Sequence, residues 1–131
     1  MPIESVLEAA RGGLSYERLR LDAASRNIAA ANVPVAAGQS AMQWQVDAAA
    51  GDFGRLVVGD DDVGQRPSAT REVYDPGHPM ADAAGRVRYP DTDMVQEMTT
   101  LMTASRGYEA NVRSFNLLRS MMLRALEIGA K

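Results

Sequence analysis

The chain has 131 residues, 46% of them apolar, which suits one ordinary domain or a small domain on a helical stalk and is too apolar for simple disorder. Its 14 basic and 17 acidic residues leave a formal net charge of −3, so there is no overall basic footprint for nucleic acid. The absence of cysteine excludes disulfides, thiolate metal sites and a thiol nucleophile. No apolar run approaches the ~18 residues that span a bilayer, and no basic region followed by an apolar one predicts a cleaved export signal at the N-terminus.

The first predicted element is a helix from about residue 3 to residue 32, rich in Ala, Leu, Arg and Glu. Alternating steps of four and three residues pick out Ile3, Leu7, Ala10, Leu14, Glu17, Leu21, Ala24, Ile28 and Ala31, of which eight of nine are apolar. An apolar period of 3.5 residues kept over four heptads is the signature of a coiled-coil seam. Gly12 and Gly13 interrupt it, each costing roughly 1 kcal/mol relative to Ala; they mark either a soft spot or a close approach of two helices. Pro34 ends the helix, because the residue before a proline is pushed out of the α region.

The middle of the chain changes character. Met42, Trp44 and Val46 alternate with Gln43 and Gln45, the period-2 pattern of a half-buried strand. Residues 56–58, Val73-Tyr74 and Val87-Arg88-Tyr89 are further short strand candidates, separated by Gly, Pro and Asp. A small sheet or a pair of hairpins is expected, with one face covered by another element.

The last predicted element starts near Asp91. Asp93 with Gln96 three residues on fits an N-cap and capping box, and Gly129 a stop. Heptad stepping picks out Met94, Met98, Leu101, Ser105, Tyr108, Val112, Phe115, Arg119, Met122 and Leu126, of which eight of ten are apolar. This helix outruns the first, and Val95, Met102, Leu118 and Met121 add a second apolar flank that one partner helix does not cover. Five of the eight methionines lie here, and methionine adapts to several kinds of neighbour.

Candidate chemistry is sparse. His78 is the only histidine and sits in a proline-bounded turn, so a structural role is expected rather than a base or metal ligand. The acidic run at 60–62 lacks the alternating spacing of a calcium loop. Asp91 and Asp93 precede a helix and fit capping better than paired-carboxylate catalysis. Gly12-Gly13 has no P-loop context, and Ser5, Ser15 and Ser105 have no nucleophile-elbow context. No convergent catalytic set, cofactor motif or metal set is present, so an enzyme is not expected.

Four blocks carry a family resemblance. The segment Tyr74-Asp75-Pro76-Gly77-His78-Pro79-Met80-Ala81-Asp82, continuing to Pro90, resembles a turn segment of the bacterial flagellar basal-body rod protein FlgC family. Asp93-Met94-Val95-Gln96-Glu97-Met98 is similar to the start of that family's C-terminal helix, and Ala104-Ser105-Arg106-Gly107-Tyr108-Glu109-Ala110-Asn111-Val112 to a block within it. Ala23-Ala24-Ser25-Arg26-Asn27-Ile28-Ala29-Ala30-Ala31-Asn32 resembles the end of its N-terminal helix. The resemblance implies a non-enzymatic subunit of the proximal rod, exported by the flagellar type III apparatus without a cleaved signal. It also implies assembly with other rod proteins into a helical oligomer in the periplasm that transmits torque.

The expected fold is α+β. N- and C-terminal helices, within residues 1–33 and 91–131, pair antiparallel as a coiled coil, with a small β-rich segment at 34–90. Interface residues are expected along the seams, at Leu7, Leu14, Leu21 and Ile28 and at Met98, Leu101, Tyr108, Val112, Phe115 and Met122. The resemblance adds Asn27, Asn32, Arg106 and Asn111. The alternative reading is a coiled-coil adaptor, or a specialised rod-protein paralogue, that binds other helices.

Overall fold

A computed structural model describes residues 2–47 and 63–130. Its elements run α1 (Pro2–Ala30), β1 (Met42–Val46), β2 (Val63–Pro67), β3 (Thr70–Tyr74), β4 (Arg86–Pro90) and α2 (Met94–Gly129). The strand candidate at 56–58 and the acidic run at 60–62 lie outside the described residues.

Helix α1 is continuous through Gly12 and Gly13. It ends two residues before the expected limit, in a turn where Val33 N donates to Ala30 O. Helix α2 begins where the capping signal placed it: Asp93 Oδ1 accepts from Gln96 N at 3.2 Å. At 1.5 Å per residue α2 is about 54 Å long and α1 about 44 Å.

The helices pack antiparallel. Asn27 meets Glu97, Glu17 meets Gly107, and Gly13 meets Asn111, each pair of numbers adding to 124. On that register Met122 lies level with Pro2, so 123–129 project beyond the start of α1. The expected coiled-coil pairing is therefore present, with the overhang its unequal lengths require.

The strands form two separate antiparallel hairpins. In one, Trp44 pairs with Gln65 and Val46 with Val63. In the other, Thr70 pairs with Pro90 and Val73 with Val87. Strand β2 has no apolar alternation of its own, and its extended state comes from pairing with β1. The 34–40 loop is tied to β4: Val35 N donates to Arg88 O at 2.8 Å, and the Arg88 guanidinium donates to Ala36 O and Gln39 O. Arg71 ties β3 to the end of α1, donating to Ala31 O and Asn32 Oδ1 while lying 4.9 Å from the Tyr89 ring centre.

The core is small and lopsided. Among the described residues the buried ones are Leu19, Ala23, Ala24, Asn27, Ala31, Ala41, Val87, Pro90, Glu97 and Ala104. All belong to the end of the helix pair that carries the hairpins. The opposite end, 4–18 against 105–130, has no fully buried side chain.

Candidate assembly interface

The buried line of α2 is offset by about one residue from the apolar heptad line. It runs through Glu97, Ala104, Gly107 and Asn111, which face α1. Small residues are there because the helices come close. A methyl group built on Gly107 would lie 2.8 Å from Glu17 Cδ, and one built on Gly13 would lie 3.0 Å from Asn111 Nδ2. Gly13 thus takes the close-approach reading, while Gly107 and Ala104 carry the same role without a hydropathy signal.

Several large apolar side chains of α2 are turned outward. Val95 is 78% exposed, Met102 58%, Leu117 62%, Met121 57% and Ile128 77%. Met98, Leu123 and Leu126 are exposed as well. They fall in two groups that α1 does not cover, Val95, Met98 and Met102 near the start of the helix and Leu117, Met121, Leu123, Leu126 and Ile128 near its end. Exposed apolar surface in groups of this kind is characteristic of interaction sites.

The residues expected at an interface divide between the two sides. Leu7, Leu14, Leu21 and Ile28 of α1 are half-buried, as are Leu101, Val112, Phe115 and Met122 of α2. Met98, Arg106 and Tyr108 are exposed, and Asn32 is exposed while accepting from Arg71. Asn111 is half-buried against Gly13.

Asn27 is buried and engaged within the chain. Its Oδ1 accepts from Trp44 N at 2.8 Å, and its Nδ2 donates to Trp44 O at 2.9 Å and to Glu97 Oε1 at 3.3 Å. Gln43 Nε2 donates to the same Glu97 oxygen at 2.8 Å. This network joins α1, β1 and α2 at one point. Sequence reasoning did not single out Glu97 and Gln43. Glutamate at an i, i+4 position from Asp93 reads as an exposed first-turn residue, and only the docking of β1 covers it.

The β3–β4 hairpin loop holds the expected turn. Asp82 Oδ1 accepts from Ala84 N and Arg86 N, each at 2.9 Å, and His78 Nδ1 accepts from Met80 N at 3.0 Å. His78 is a turn residue here, bonded to its own backbone neighbours.

The chain matches the family model described as flagellar basal body rod FlgEFG protein C-terminal over residues 83–128. It is 38% identical over 137 aligned positions to the flagellar basal-body rod protein FlgC of Escherichia coli O6:H1, covering 98% of this chain and 99% of that protein. It belongs to the FlgC family of flagellar basal-body rod proteins. Identity to the FlgC protein of Salmonella typhimurium is also 38% over the same shares of both chains. The FlgC protein of Bacillus subtilis is 47% identical over 57 residues, 44% of this chain and 38% of that one. The residues matched by the family model run from the hairpin loop through β4 and nearly all of α2. The family's C-terminal signature thus falls on the helix whose apolar side is uncovered.

Proposed function

We propose that this chain is a structural subunit of the bacterial flagellar basal-body rod, assembled through its paired terminal helices to transmit torque. The carrying observation is the exposed apolar line at each end of α2, through Val95, Met98 and Met102 and through Leu117, Met121, Leu123, Leu126 and Ile128, in a member of a rod-protein family. Neighbouring rod subunits cover that line, and packed side chains then share load along the helix as a close-packed interior does. Head-to-tail contacts of one subunit with the next generate a helical oligomer rather than a closed ring.

The same reading gives each region a task. The helix pair within 1–33 and 91–131 is the stalk that builds the wall, and any specialisation of this chain lies within 33–68, the part least like the family. Exposed Arg106 and Tyr108, with the half-buried seam residues, are contact positions for neighbours. Export proceeds through the flagellar type III apparatus without a cleaved signal, and the subunit works in the periplasmic part of the basal body. Catalysis has no place in it.

The test is deletion of the coding sequence with complementation. The expected result is loss of motility and of intact basal bodies, restored by the full chain, with the chain detected in purified basal bodies. A motile deletion strain with intact rods would overturn the reading.

A further inference from the structure

The junction of α1, β1 and the first turn of α2 contains an open cleft of about 270 Å³. That lies just below the ~300–1,000 Å³ of pockets built for small molecules and suits a single side chain. Glu97, Gln43, Trp44 and Tyr16 are among its lining residues, with Gln45 and Gln96.

Glu97 is only 8% exposed, yet among the described residues no cation pairs with it. Both hydrogen bonds it accepts, from Asn27 and Gln43, arrive at Oε1. None arrives at Oε2, and no sealed side-chain oxygen among the described residues lacks a partner. Oε2 therefore keeps solvent access, on a residue that lines the cleft. Arg20 also lines the cleft, but its guanidinium is bonded to Glu17 at 3.0 Å and cancelled by it. The net charge presented to an occupant is that of Glu97.

We propose that this cleft receives an arginine side chain from a neighbouring polypeptide. A buried carboxylate with two neutral donors and one open oxygen is costly until a cation reaches it. Trp44 and Tyr16 supply aromatic surface, on which a planar guanidinium stacks better than an ammonium. Arginines in this chain already use the same two rings: Arg26 lies 4.5 Å from the Trp44 ring centre and Arg20 5.7 Å from that of Tyr16. Gln45 and Gln96 add polar residues to the same lining. That the arginine comes from a neighbouring subunit rests on the rod reading above; the chemistry of the cleft does not.

The test is an NMR titration of the full-length chain with N-acetyl-L-arginine amide, set against the citrulline amide of the same shape and no charge. The expected result is saturable movement of the Asn27 and Gln43 side-chain amides and the Trp44 indole, with half-saturation at least ten times lower for arginine than for citrulline. Glu97→Gln, which keeps an acceptor for both amides, should abolish the difference. Equal response to the two probes, no saturable response at these groups, or a Glu97→Gln chain that still prefers arginine would each overturn the proposal. A lysine amide binding as tightly as arginine would overturn the guanidinium assignment. Should the variant not fold, the arginine–citrulline comparison on the unaltered chain still decides. Failure here leaves the rod reading standing, whereas absence of the chain from purified basal bodies ends that reading with the cleft's preference still measured.

Discussion

Asn27 does more than any other single residue to hold the junction together. It satisfies both backbone groups of Trp44 and donates one of the two hydrogen bonds that Glu97 accepts. Removing one partner of a buried polar group costs about 1–3 kcal/mol, because the group left behind is desolvated without compensation. Asn27→Ala is therefore expected to destabilise the chain by about that amount in urea unfolding, and a change below ~0.5 kcal/mol would show that Trp44 and Glu97 find other partners. Gly107 works in the opposite sense, by what it lacks. Alanine there gains about 1 kcal/mol of helix propensity, but its methyl would lie 2.8 Å from the Glu17 carboxylate carbon, which Arg20 holds in place. Gly107→Ala is thus expected to be neutral or destabilising alone and stabilising when Glu17 is also alanine. A double-mutant cycle should give a coupling of about 0.5 kcal/mol or more; simple additivity would mean the two positions do not crowd each other.

At the scale of elements, the start of α2 is the best-defined boundary. Asp93 accepts from Gln96 N, and loss of such a cap costs about 1 kcal/mol. Asp93→Ala should lower stability by that amount and speed amide exchange in the first turn of α2 before anywhere else. Exchange that rises uniformly along the helix would place the cap's effect elsewhere. This boundary was readable from sequence, as were both helices and three of the four described strands, because capping and periodicity are local signals. Strand β2 was not, since Gly64, Gln65 and Arg66 carry no alternation and are extended only through β1. The offset of the α2 seam was unreadable for a related reason. Ala104 and Gly107 have little hydropathy to contribute, and they are buried because small residues let the helices approach. A heptad pattern finds the large apolar line, and in this chain that line lies beside the closest contact, with Leu101, Val112, Phe115 and Met122 half-buried and Met98 and Leu126 exposed. Burial of Asn27, Gln43 and Glu97 likewise depends on a strand some 17 residues beyond α1's contact point docking across two helices.

For the molecule as a whole, the separation of these two lines divides stability from assembly. Ala104 is fully buried between the helices, whereas Met121 is 57% exposed on the half of the helix pair that holds no buried side chain. A charge introduced at Ala104 has no water and no partner, and a cost of about 3 kcal/mol or more is expected for Ala104→Glu. Met121→Glu places a good helix former at a solvated site, so the dilute chain should keep its stability to within ~0.5 kcal/mol. In the cell the two variants should share one phenotype for different reasons. Ala104→Glu should be lost through poor folding and low abundance. Met121→Glu should be present at normal level, absent from purified basal bodies, and unable to restore motility, because a desolvated carboxylate would sit where a neighbour's apolar surface belongs. Leu126→Glu, on the overhang beyond α1, should behave as Met121→Glu does. Normal swimming with both exposed-site variants incorporated into rods would mean that the outward line of α2 stays solvated in the assembly, and the contact surface would then have to be sought on α1.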